Sequence, residues 1–529
     1  MLYDDYYRTY HDVLTPAEMR LTEQKAFELG VPSILLMEHA AQAVVDELEK
    51  ALGGSCCDRR VLFLCGTGNN GGDGLAAARL FMMRQGIPTV YMTGEPKTAD
   101  AKTNWKYAHE MGIALFNLLE YEEKDLPFQE DGFLHPFDGY VDALLGTGLR
   151  GAPDELTARL IVAADNDAYD AHAPIIAVDI PSGIDGETGE TPGAWIHAHT
   201  TVTFHAPKIG LYLTAKRESV GRLVIADIGL WEMTYATGTL EEFACQVKTP
   251  LALKAHLRRI RLQDHKGDHG RVLIYAGKLG MAGAAAMCAK AAVTAGAGLT
   301  TIACEKEIIP ILQTLVPNAM CMEIGEAIKN PPAYDVFAVG CGLGQSEIIW
   351  QNILKLWEPE KPSVWDADAL NLLSKHEMKL GEKAVITPHP GEAARLLSWP
   401  MEKIMGDRLA AARALAEKHD CVAVLKSDVS VICKMDDDGK PEYSLNAVGS
   451  PALAKGGSGD ALTGILAVQL CVNDPLLAAA LACLWHGMAG VVGEEKFGQR
   501  ELTTDQLISC LHEAERWGKG EISAPKGFR

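Results

Sequence analysis

Short runs of β-branched and apolar residues alternate along the whole chain with segments that have the spacing of amphipathic helices. Such short apolar runs suit strands buried on both faces, and helices between them allow neighbouring strands to lie parallel. The pattern therefore predicts an α/β fold in which helices cover both faces of parallel sheets. The predicted strands are 60–65, 89–93, 140–145, 175–179, 201–204 and 223–227 in the first half, and 271–276, 299–304, 336–339, 363–366, 384–387 and 422–426 in the second.

The alternation stops near the middle of the chain and then starts again, and the two halves show no repeat of each other. Residues 237–264 begin with a polar, strand-poor segment and end in the basic, helix-like sequence LKAHLRRIRL. A chain of 529 residues is also long enough for more than one domain. We therefore expect two unrelated domains, an N-terminal domain of residues 1–245 and a C-terminal domain of residues 246–529.

Charge and cysteine content limit the function classes. Aspartate and glutamate number 70 against 49 lysines and arginines, a net charge of −21, so bulk charge does not favour a nucleic-acid partner. The 13 cysteines are odd in number and form no C-x-x-C pair, which favours a reducing cytoplasm over a disulfide framework. The N-terminus lacks a signal-peptide pattern, and the apolar segment 476–493 is interpreted as a buried helix. We expect a cytoplasmic protein with no membrane partner.

A glycine-rich sequence, GTGNNGGDG at residues 66–74, follows the first predicted strand and leads into a predicted helix at 71–85. Glycines let the backbone approach a ligand closely, and the N–H groups at a helix start attract phosphate. A tight turn without a binding role is the alternative. Because polar side chains at a strand end need partners, Asn69, Asn70 and Asp73 favour a binding site.

Two further strand ends carry polar loops. Asp142 is followed by GTGLRGA at 146–152, and Asp179 is followed by IPSGIDGETG at 180–189. Open parallel sheets bind ligands outside the carboxyl ends of their strands, so we expect the three loops to form one site. Hard oxygen ligands that suit an alkali or alkaline-earth ion are present in three side chains, those of Asn70, Asp142 and Ser182.

A fourth sequence, TFHAPKIGL at 203–211, completes a set that resembles the YjeF N-terminal domain family, the NAD(P)H-hydrate epimerases. The resemblance covers about residues 10–240 and implies a Rossmann-like parallel sheet that interconverts the R and S hydrates of NADH and NADPH. It implies that the hydrate contacts Asn69, Asn70, Gly71, Gly72, Asp73, Gly146, Thr147, Gly148, Leu149, Arg150, Gly151, Ala152 and Asp179. It also implies a potassium ion bound by Asn70, Asp142 and Ser182.

The chemistry of such a hydrate requires an acid or base near its hydroxyl group. Carbon 6 of a hydrated nicotinamide carries this hydroxyl beside the ring nitrogen and behaves as a hemiaminal, so loss and return of the hydroxyl need proton transfer. Asp179, at a strand end, is the first candidate for this role and Asp73 is the second. His197 and His199 suggest zinc, but they lack a clear third ligand. They are interpreted as surface or packing residues on a strand.

In the second half, AKGGSGDALTG at 454–464 leads into an apolar helix. A G-S-G-D sequence at a helix start offers N–H groups to a transferring phosphate, and Asp460 is placed to take a proton from a hydroxyl. A glycine-rich helix cap is the alternative. Three more polar loops that follow predicted strands favour chemistry, namely KSDVS at 426–430, TPHPGE at 387–392 and GCGLG at 340–344.

Three other sequences belong to the same pattern, HKGDHGRVLIYAGKLGMAGAAAMCAKAAVTAGAGL at 265–299, WDADALNLL at 365–373 and NAVGSP at 446–451. Together with these loops they resemble the ribokinase-like C-terminal domain of the NAD(P)H-hydrate dehydratases over about residues 260–515. The resemblance implies that the hydrate contacts Ala284, Gly344, His389 and Asp460, and that the adenine nucleotide contacts Lys426, Ser427, Asp428, Val429, Ser430 and Gly459. The family usually has K-G-A-x-T where this chain has KSDVS, so Ser427 and Asp428 replace small residues beside the nucleotide.

The two resemblances imply a bifunctional repair enzyme for hydrated nicotinamide cofactors. The first domain would interconvert the R and S hydrates, NADHX and NADPHX, and the second would dehydrate the S hydrate while ADP is converted to AMP and phosphate. Further expectations are a potassium ion in the first domain, ATP as a second candidate nucleotide, magnesium as a second candidate ion, and a homo-oligomer. The alternative is a ribokinase-like kinase for a vitamin precursor or a sugar, with a non-catalytic N-terminal binding module.

Overall fold

The computed structural model of the chain describes residues 9–122, 126–129, 132–133, 137–230 and 244–525. These residues divide into two compact units, 12–230 and 244–525, and residues 9–11 belong to the second unit. The first strand of the chain, β1 (Tyr10–Asp12), lies at the edge of the second unit's sheet, and no pattern in the sequence predicts this placement. The predicted domain boundary between residues 245 and 246 falls inside a strand of the second unit, Ala244–Lys248.

The first unit contains a seven-stranded sheet in which every neighbouring pair is parallel. Its strands are β2 (Arg60–Cys65), β3 (Ile87–Met92), β4 (Ala114–Asn117), β7 (Gly139–Ala143), β8 (Ile175–Val178), β9 (Thr200–Phe204) and β10 (Arg222–Ala226), while β5 (Phe128–Gln129) and β6 (Gly132–Phe133) form a separate hairpin. The spatial order in the sheet is β10-β9-β8-β7-β2-β3-β4. The helices are α1 (Pro16–Glu28), α2 (Ser33–Ala51), α3 (Asn69–Met83), α4 (Ala99–Glu110), α5 (Glu155–Ala171), α6 (Gly210–Leu213) and α7 (Arg217–Val220).

Helices cover both faces of this sheet. Alternate residues of β2 point to opposite faces, as the pleat of a strand requires. Val61 and Phe63 pack in one core with residues of α2 and α3, whereas Leu62 and Leu64 pack in a second core with residues of α5. The continuous apolar sequence of this strand therefore reflects burial on two sides, as predicted.

The second unit contains an eleven-stranded sheet with the order β1-β11-β20-β19-β18-β17-β16-β15-β12-β13-β14. Its further strands are β11 (Ala244–Lys248), β12 (Arg271–Tyr275), β13 (Leu299–Cys304), β14 (Met320–Glu323), β15 (Val336–Val339), β16 (Ser363–Trp365), β17 (Ala384–Ile386), β18 (Val422–Leu425), β19 (Ser430–Met435) and β20 (Pro441–Asn446). Its helices are α8 (Leu251–His256), α9 (Ala282–Thr294), α10 (Ile309–Leu315), α11 (Ile324–Lys329), α12 (Glu347–Leu356), α13 (Asp368–Leu373), α14 (Pro390–Leu397), α15 (Met401–Gly406), α16 (Arg408–His419), α17 (Ser458–Gln469), α18 (Pro475–Phe497), α19 (Thr504–Ser509) and α20 (Leu511–Gly518).

The predicted fold class, two α/β domains with parallel sheets, is confirmed, but the second sheet is not wholly parallel. Strands β18, β19 and β20 pair antiparallel, and a tight turn in which the Gly439 amide donates to the Asp436 carbonyl oxygen joins the last two. Within the described residues, α18 alone is long and apolar enough to cross a membrane, yet 89% of its most apolar window is buried inside the protein. It packs in the core, as the interpretation of 476–493 expected.

Two local predictions are wrong. His197 and His199 precede β9 instead of lying on a strand, because the chain becomes extended and paired only at Thr200. The helix-like basic sequence at 253–262 is helical only as far as His256, where α8 ends. Arg258, Arg259 and Arg261 lie beyond that point and are exposed, so no packed face holds them in a helix.

Candidate active sites of the two units

The predicted site residues of the first unit lie at the carboxyl ends of β2, β7, β8 and β9, which are neighbours in the sheet. Helix α3 starts at Asn69, two residues before the predicted start, so Asn69, Asn70 and Asp73 lie in its first two turns. A Cβ atom on Gly71 would lie 1.9 Å from the Gly66 carbonyl oxygen. This glycine is therefore required by the close approach of the helix to the strand end, and the contact explains part of the glycine-rich sequence.

Asp142, one of the three side chains that were predicted to bind an ion, is fully buried near the end of β7. Its Oδ1 accepts a hydrogen bond from the Ser182 hydroxyl at 2.6 Å, and its Oδ2 accepts one from the Ser182 amide at 2.7 Å. The Asn70 side-chain amide donates to the Leu145 carbonyl oxygen at 2.9 Å, and the Leu145 amide donates to Ser182 Oγ at 2.9 Å. Asn70 and Ser182 therefore meet at the backbone of Leu145, and Ser182 connects this backbone to Asp142.

The electrostatics of this group fit a hard cation. Burial raises the pKa of Asp142 to about 6, and hydrogen bonds from Ser182 and the Leu144 amide oppose that rise. The groups that act most strongly on this carboxyl include no cation. A bound ion with oxygen ligands would compensate a buried carboxylate that otherwise lacks an opposite charge.

Asp179 follows β8 and forms a buried ion pair with a residue that the sequence analysis did not single out. Lys208 is 1% exposed, and its Nζ lies 2.5 Å from Asp179 Oδ1. The Thr203 hydroxyl donates to the same oxygen at 3.0 Å. Asp179 also has φ +65°, a left-handed conformation that a residue with a side chain seldom adopts. The chain therefore holds this carboxylate in one orientation at the sheet edge.

Two more carboxyl groups surround this pair. Burial, followed by the charges of Asp179 and Glu23, raises the pKa of Asp73 well above its usual range. Burial likewise raises the pKa of Glu23 of α1, against the opposing influence of Lys208. The site thus places three carboxyl groups around one lysine, and Asp73 retains a proton far more readily than an ordinary aspartate does.

The remaining predicted contacts of the first unit lie in a partly exposed loop. The Arg20 guanidinium of α1 approaches the Thr147 carbonyl oxygen at 3.5 Å. The loop residues that were predicted to contact the hydrate follow β7 directly and are half-buried or exposed, namely Gly146, Thr147, Gly148, Leu149, Arg150, Gly151 and Ala152. This loop can therefore reach a ligand that lies on the carboxyl edge.

His197 and His199 lie at the opposite edge of the sheet, before the amino ends of the strands. His197 Nδ1 lies 2.5 Å from Asp165 Oδ2, and His199 Nδ1 accepts a hydrogen bond from the Ile175 amide at 3.0 Å. The described part of the chain contains no group of three or more histidine, cysteine, aspartate or glutamate side chains that could hold a metal ion. Both side chains have local partners, in agreement with the surface and packing interpretation.

In the second unit, the G-S-G-D sequence forms the N-terminus of α17. The helix begins at Ser458 after Gly457, whose φ of +93° requires glycine. The first N–H groups of a helix have no partner inside it and can bind an anion. Asp460 lies in this first turn, where burial raises its pKa to about 6 and a hydrogen bond with the Cys341 thiol lowers it. A carboxyl group with that pKa suits proton transfer near neutral pH.

A lysine at the end of β18 provides positive charge beside this helix start. Lys426 Nζ lies 2.8 Å from Asp366 Oδ1, and the Thr463 hydroxyl donates to Asp366 Oδ2 at 2.9 Å. Burial opposes the charge of Lys426, but Asp366 and Glu392 outweigh it and raise the pKa of the ammonium group. A Cβ atom on Gly459 would lie 3.5 Å from Lys426 Nζ, so the lysine and the glycine loop face the same space.

His389 caps α14 at the carboxyl end of β17, and 53% of its side chain is exposed. Burial, then Lys426 and Arg395, lower the pKa of His389, which keeps the imidazole neutral near pH 7. Glu392 accepts a hydrogen bond from the His389 amide at 2.9 Å, and burial raises the pKa of Glu392 to about 7. His389 can therefore contact a substrate, while Glu392 supports the cap behind it.

The loop at 426–430 is fixed by an arginine that the sequence analysis missed. Arg408, the first residue of α16, is buried, and its Nη1 lies 2.6 Å from Asp428 Oδ1 and 3.2 Å from Ser427 Oγ. Val429 is buried and Ser430 begins β19. Asp428, one of the residues that depart from the family pattern, is therefore paired with the opposite charge of the buried Arg408.

The other two predicted hydrate contacts lie beside the GCGLG loop after β15. The Gly344 amide donates to Asp368 Oδ2 at 2.7 Å. A Cβ atom on Gly342 would lie 3.0 Å from the Cβ of Ala284, so α9 and this loop are in close contact. The second unit thus brings Ala284, Gly344, His389, Lys426 and Asp460 to the carboxyl edge of one sheet.

Sequence reasoning missed five residues that support these sites. Lys208 and Asp366 lie inside the motifs at 203–211 and 365–373. The motifs were identified, but these two charged residues within them were not singled out as site residues. Arg408 is a single arginine at a helix start. Glu23 lies on α1, and His486 lies on α18 with its Nε2 3.1 Å from the Ser458 hydroxyl and carbonyl oxygen. On these helices the spacing of apolar residues does not distinguish the two from surface or core residues.

Comparisons with known proteins match both units. A family model described as YjeF-related protein N-terminus matches residues 33–210, and one described as NAD(P)H-hydrate dehydratase matches residues 272–513. The bifunctional NAD(P)H-hydrate repair enzyme of Moorella thermoacetica is 36% identical over 520 residues, which cover 94% of this chain and 96% of that protein. The enzyme of the same name from Escherichia coli is 37% identical over 513 residues, which cover 95% of this chain and 93% of that protein.

A solved structure is also similar to part of the chain. It is the ADP/ATP-dependent NAD(P)H-hydrate dehydratase of Bacillus subtilis, co-crystallised with ATP and Mg²⁺, which is 29% identical. The similarity covers 51% of this chain and 97% of that one, with a TM-score of 0.47.

Proposed function

This chain belongs to the family of bifunctional NAD(P)H-hydrate repair enzymes, and on that basis we propose how its two units divide the repair. The first unit interconverts the R and S hydrates, and the second unit dehydrates the S hydrate with ADP as co-substrate. The observation that supports this division is that each unit has its own buried acid or base at the carboxyl edge of its own sheet. The relationship inferred from the sequence motifs is confirmed by relatives that match almost the whole chain.

In the first unit, Asp73 acts as the acid and Asp179 as the base. Asp73 donates its proton to the hydroxyl of carbon 6. The lone pair of the ring nitrogen then forms a double bond to carbon 6, the C–O bond breaks, and water leaves. The planar carbon then accepts water on either face, and Asp179 takes the proton that this water releases. That proton returns to Asp73 through solvent before the next turnover, so no atom is gained or lost. Lys208 orients Asp179 for this transfer.

A potassium ion would be bound by Asn70, Asp142 and Ser182: Asn70 and Ser182 both contact the backbone of Leu145, and Ser182 contacts Asp142. Such an ion would supply a fixed positive charge beneath the loop at 146–152. It would hold the strand end and the loop in one arrangement, so its contribution would be to position the hydrate. The buried carboxylate of Asp142 supports this assignment because burial alone disfavours its charge.

In the second unit, Asp460 takes the proton of the carbon 6 hydroxyl as the hydroxyl oxygen attacks the terminal phosphorus of ADP. The bond from that phosphorus to AMP breaks, and AMP leaves. The ring nitrogen then expels phosphate, and loss of a proton from carbon 5 restores the dihydronicotinamide. The first-turn amides of α17 and Lys426 stabilise the transferring group, so catalysis depends on positioning and charge.

A magnesium ion would accompany the nucleotide and be held mainly by its phosphates, since the described residues offer no cluster of three metal-binding side chains. ADP is the proposed physiological donor and ATP an alternative one. A cytoplasmic location is also proposed, because the sequence composition favours a reducing compartment. A homo-oligomer is proposed as well.

A small-molecule kinase, the alternative function, is not favoured by the full-length relatives. Phosphorus nuclear magnetic resonance during turnover of the S hydrate with ADP separates the two functions. The repair function predicts free phosphate and AMP in equal amounts with no stable phosphorylated product. A phosphate ester that accumulates in place of free phosphate would contradict it.

A further inference from the structure

Thr463 lies on α17 three residues after Asp460, so the two side chains are neighbours on one face of the helix. Thr463 is 1% exposed, and its hydroxyl group therefore needs a partner inside the protein. The hydroxyl lies 2.9 Å from Asp366 Oδ2 and 3.1 Å from the Gly459 carbonyl oxygen. A hydroxyl group has one proton to donate, and a charged acceptor binds it more strongly than a neutral one. The proton is therefore donated to Asp366.

Asp366 connects α17 with the end of β18. Its side chain is buried, and while Oδ2 accepts the hydrogen bond from Thr463, Oδ1 lies 2.8 Å from Lys426 Nζ. The backbone of Asp366 is fixed as well, because its amide donates to the Val339 carbonyl oxygen at 3.0 Å. A carboxylate with a different partner on each oxygen cannot rotate without breaking one of the two contacts. Thr463 therefore fixes the orientation in which Asp366 meets the lysine.

The ammonium group of Lys426 needs such an orienting partner, because a lysine side chain is long and flexible. A Cβ atom on Gly459 would lie 3.5 Å from Lys426 Nζ and 3.6 Å from Asp366 Oδ2, so both charges adjoin the first turn of α17. We propose that Thr463 is a positioning residue of the second site, which aligns Lys426 with the start of α17 through Asp366. This inference rests on the proposed dehydratase function, in which Lys426 stabilises the transferring phosphoryl group.

The test compares the affinities of ADP and AMP by isothermal titration calorimetry in the full chain, since only ADP carries the phosphoryl group assigned to Lys426. The unaltered protein should prefer ADP. Thr463→Val keeps the shape of the side chain but removes a hydrogen bond to a charged group, so the preference should fall roughly tenfold or more. Thr463→Ser keeps the hydroxyl group and should keep the preference. Thr314→Val is the matched control, because the exposed Thr314 hydroxyl donates only to the Pro310 carbonyl oxygen of its own helix.

Four results would overturn the proposal. Equal weakening of ADP and AMP in Thr463→Val would make the residue a structural part of the helix, and an unchanged preference would separate it from Lys426. Loss of the preference in Thr463→Ser would contradict the role of the hydroxyl, and the same loss in Thr314→Val would contradict an effect specific to this site. Thr463→Ala gives the same comparison if Thr463→Val does not fold.

Failure of the proposed function has a different signature. An unaltered protein that binds ADP no more tightly than AMP would overturn the role of Lys426 and, with it, the role of Thr463. A preference for ADP that survives in Thr463→Val would overturn the role of Thr463 alone. Because binding is measured without turnover, the expected pattern in a protein that does not dehydrate the hydrate would support the positioning role and contradict the dehydratase.

Discussion

At the scale of single residues, both sites depend on charges whose partners lie far away in the sequence. Asp179 is paired with Lys208, and Asp366 with Lys426. Removing one member of such a pair leaves an uncompensated buried charge, which costs about 3–5 kcal/mol of folding stability. Each pair therefore orients a reactive group, and removing either member of a pair should lower the folding stability of the unit that contains it.

Lys208→Met should slow epimerisation by roughly 100-fold or more, because Asp179 would lose both its orientation and its counter-charge. Lys216→Met is the matched control, since Lys216 is exposed and its ammonium group lies over the Trp195 ring. Interconversion of the two hydrates, followed by chromatography, measures the effect. Dehydration of the S hydrate in the same preparation verifies that the second unit is intact. An unchanged epimerisation rate would remove Lys208 from the site.

The pH dependence of dehydration should report on Asp460. The residue must be ionised to accept a proton, and burial raises its pKa to about 6, so the rate should rise as the pH increases through about 6. Asp460→Asn should lower the rate by roughly 100-fold or more and leave epimerisation intact. The initial rate of phosphate release between pH 5 and pH 8 measures this dependence. A rate that is already maximal at pH 5 would contradict the assigned role.

Potassium should support epimerisation through Asp142. Replacing potassium with tetramethylammonium, which is too large for a buried oxygen site, should slow epimerisation and lower the melting temperature of the first unit. Asp142→Asn removes the buried charge that the ion compensates, so this variant should no longer respond to potassium. Differential scanning calorimetry in the two salts tests the prediction. An equal response to potassium in the variant would place the ion elsewhere.

The sequence could identify reactive residues more readily than their partners. Asp179 and Asp460 follow glycine-rich or strand-end patterns that are visible in a few residues of sequence. Lys208 and Arg408 act through side chains that cross between elements, and no local pattern specifies where such a side chain ends. The partners of Asp428 therefore became apparent only with the packing of α16 against the loop at 426–430.

At the scale of elements, the N-terminus of α17 is held by the apolar helix behind it. His486 of α18 is 8% exposed, and its Nε2 lies 3.1 Å from both the carbonyl oxygen and the hydroxyl of Ser458. Burial lowers the pKa of His486 to about 4, so the ring is neutral and can donate from Nε2 to both oxygen atoms. The histidine thus fixes the first residue of the helix whose amides are proposed to bind the transferring phosphate.

His486→Leu should raise the KM for ADP roughly tenfold, because one buried hydrogen bond at the helix start is lost. His486→Gln keeps a donor near the position of Nε2 and should restore part of the affinity. Trp485→Phe is the matched control, since it removes a hydrogen bond from the same helix to Leu511 without touching Ser458. Steady-state kinetics with varied ADP measures the difference. A lower kcat with an unchanged KM in His486→Leu would contradict the positioning role.

Folding stability should also depend on pH through this helix. The pKa of His486 is lower in the folded state than the ordinary value of 6.5, so the unfolded chain binds the proton between about pH 4 and pH 6.5. The contribution of His486 to the free energy of unfolding of the second unit is therefore lost as the pH falls through that range. Urea unfolding at pH 5 and pH 7 should show a smaller difference in His486→Gln than in the unaltered protein. An equal difference in both would contradict this account.

Strands with a continuous apolar run could be predicted, whereas partly exposed strands mostly could not. Strand β2 is apolar on both faces, and its predicted bounds are those observed. Strands β4 and β14 at the sheet edges are partly exposed and lack a continuous apolar run, so the sequence pattern did not reveal them. The antiparallel pairing of β19 with β20 lies outside the rule of alternating strands and helices, although the sequence at 436–439 is typical of the hairpin turn that joins them.

At the scale of the whole molecule, each of two unrelated units has a candidate site of its own. The residues assigned to epimerisation all lie in the first unit, and those assigned to dehydration all lie in the second. Joining the two activities in one chain is useful when the dehydration step accepts only one epimer. The account therefore expects the activities to fail separately when one site is changed.

The two sites should complement each other between molecules. Asp179→Asn should fail to use the R hydrate yet still dehydrate the S hydrate, while Asp460→Asn should do the reverse by interconverting both without dehydrating either. A mixture of the two variants should repair both hydrates, because the S hydrate can diffuse between molecules. Chromatography of the remaining hydrates measures this. Loss of both activities in either single variant would contradict the division of labour.

The most direct test of the central claim is recovery of absorbance in the dihydronicotinamide band. The purified chain receives a mixture of R and S hydrates with ADP, with ATP or without nucleotide. Two active sites predict full recovery from both epimers with ADP and no recovery without nucleotide. Recovery that stops at the S fraction would contradict an active first unit, and no recovery with either nucleotide would contradict the dehydratase.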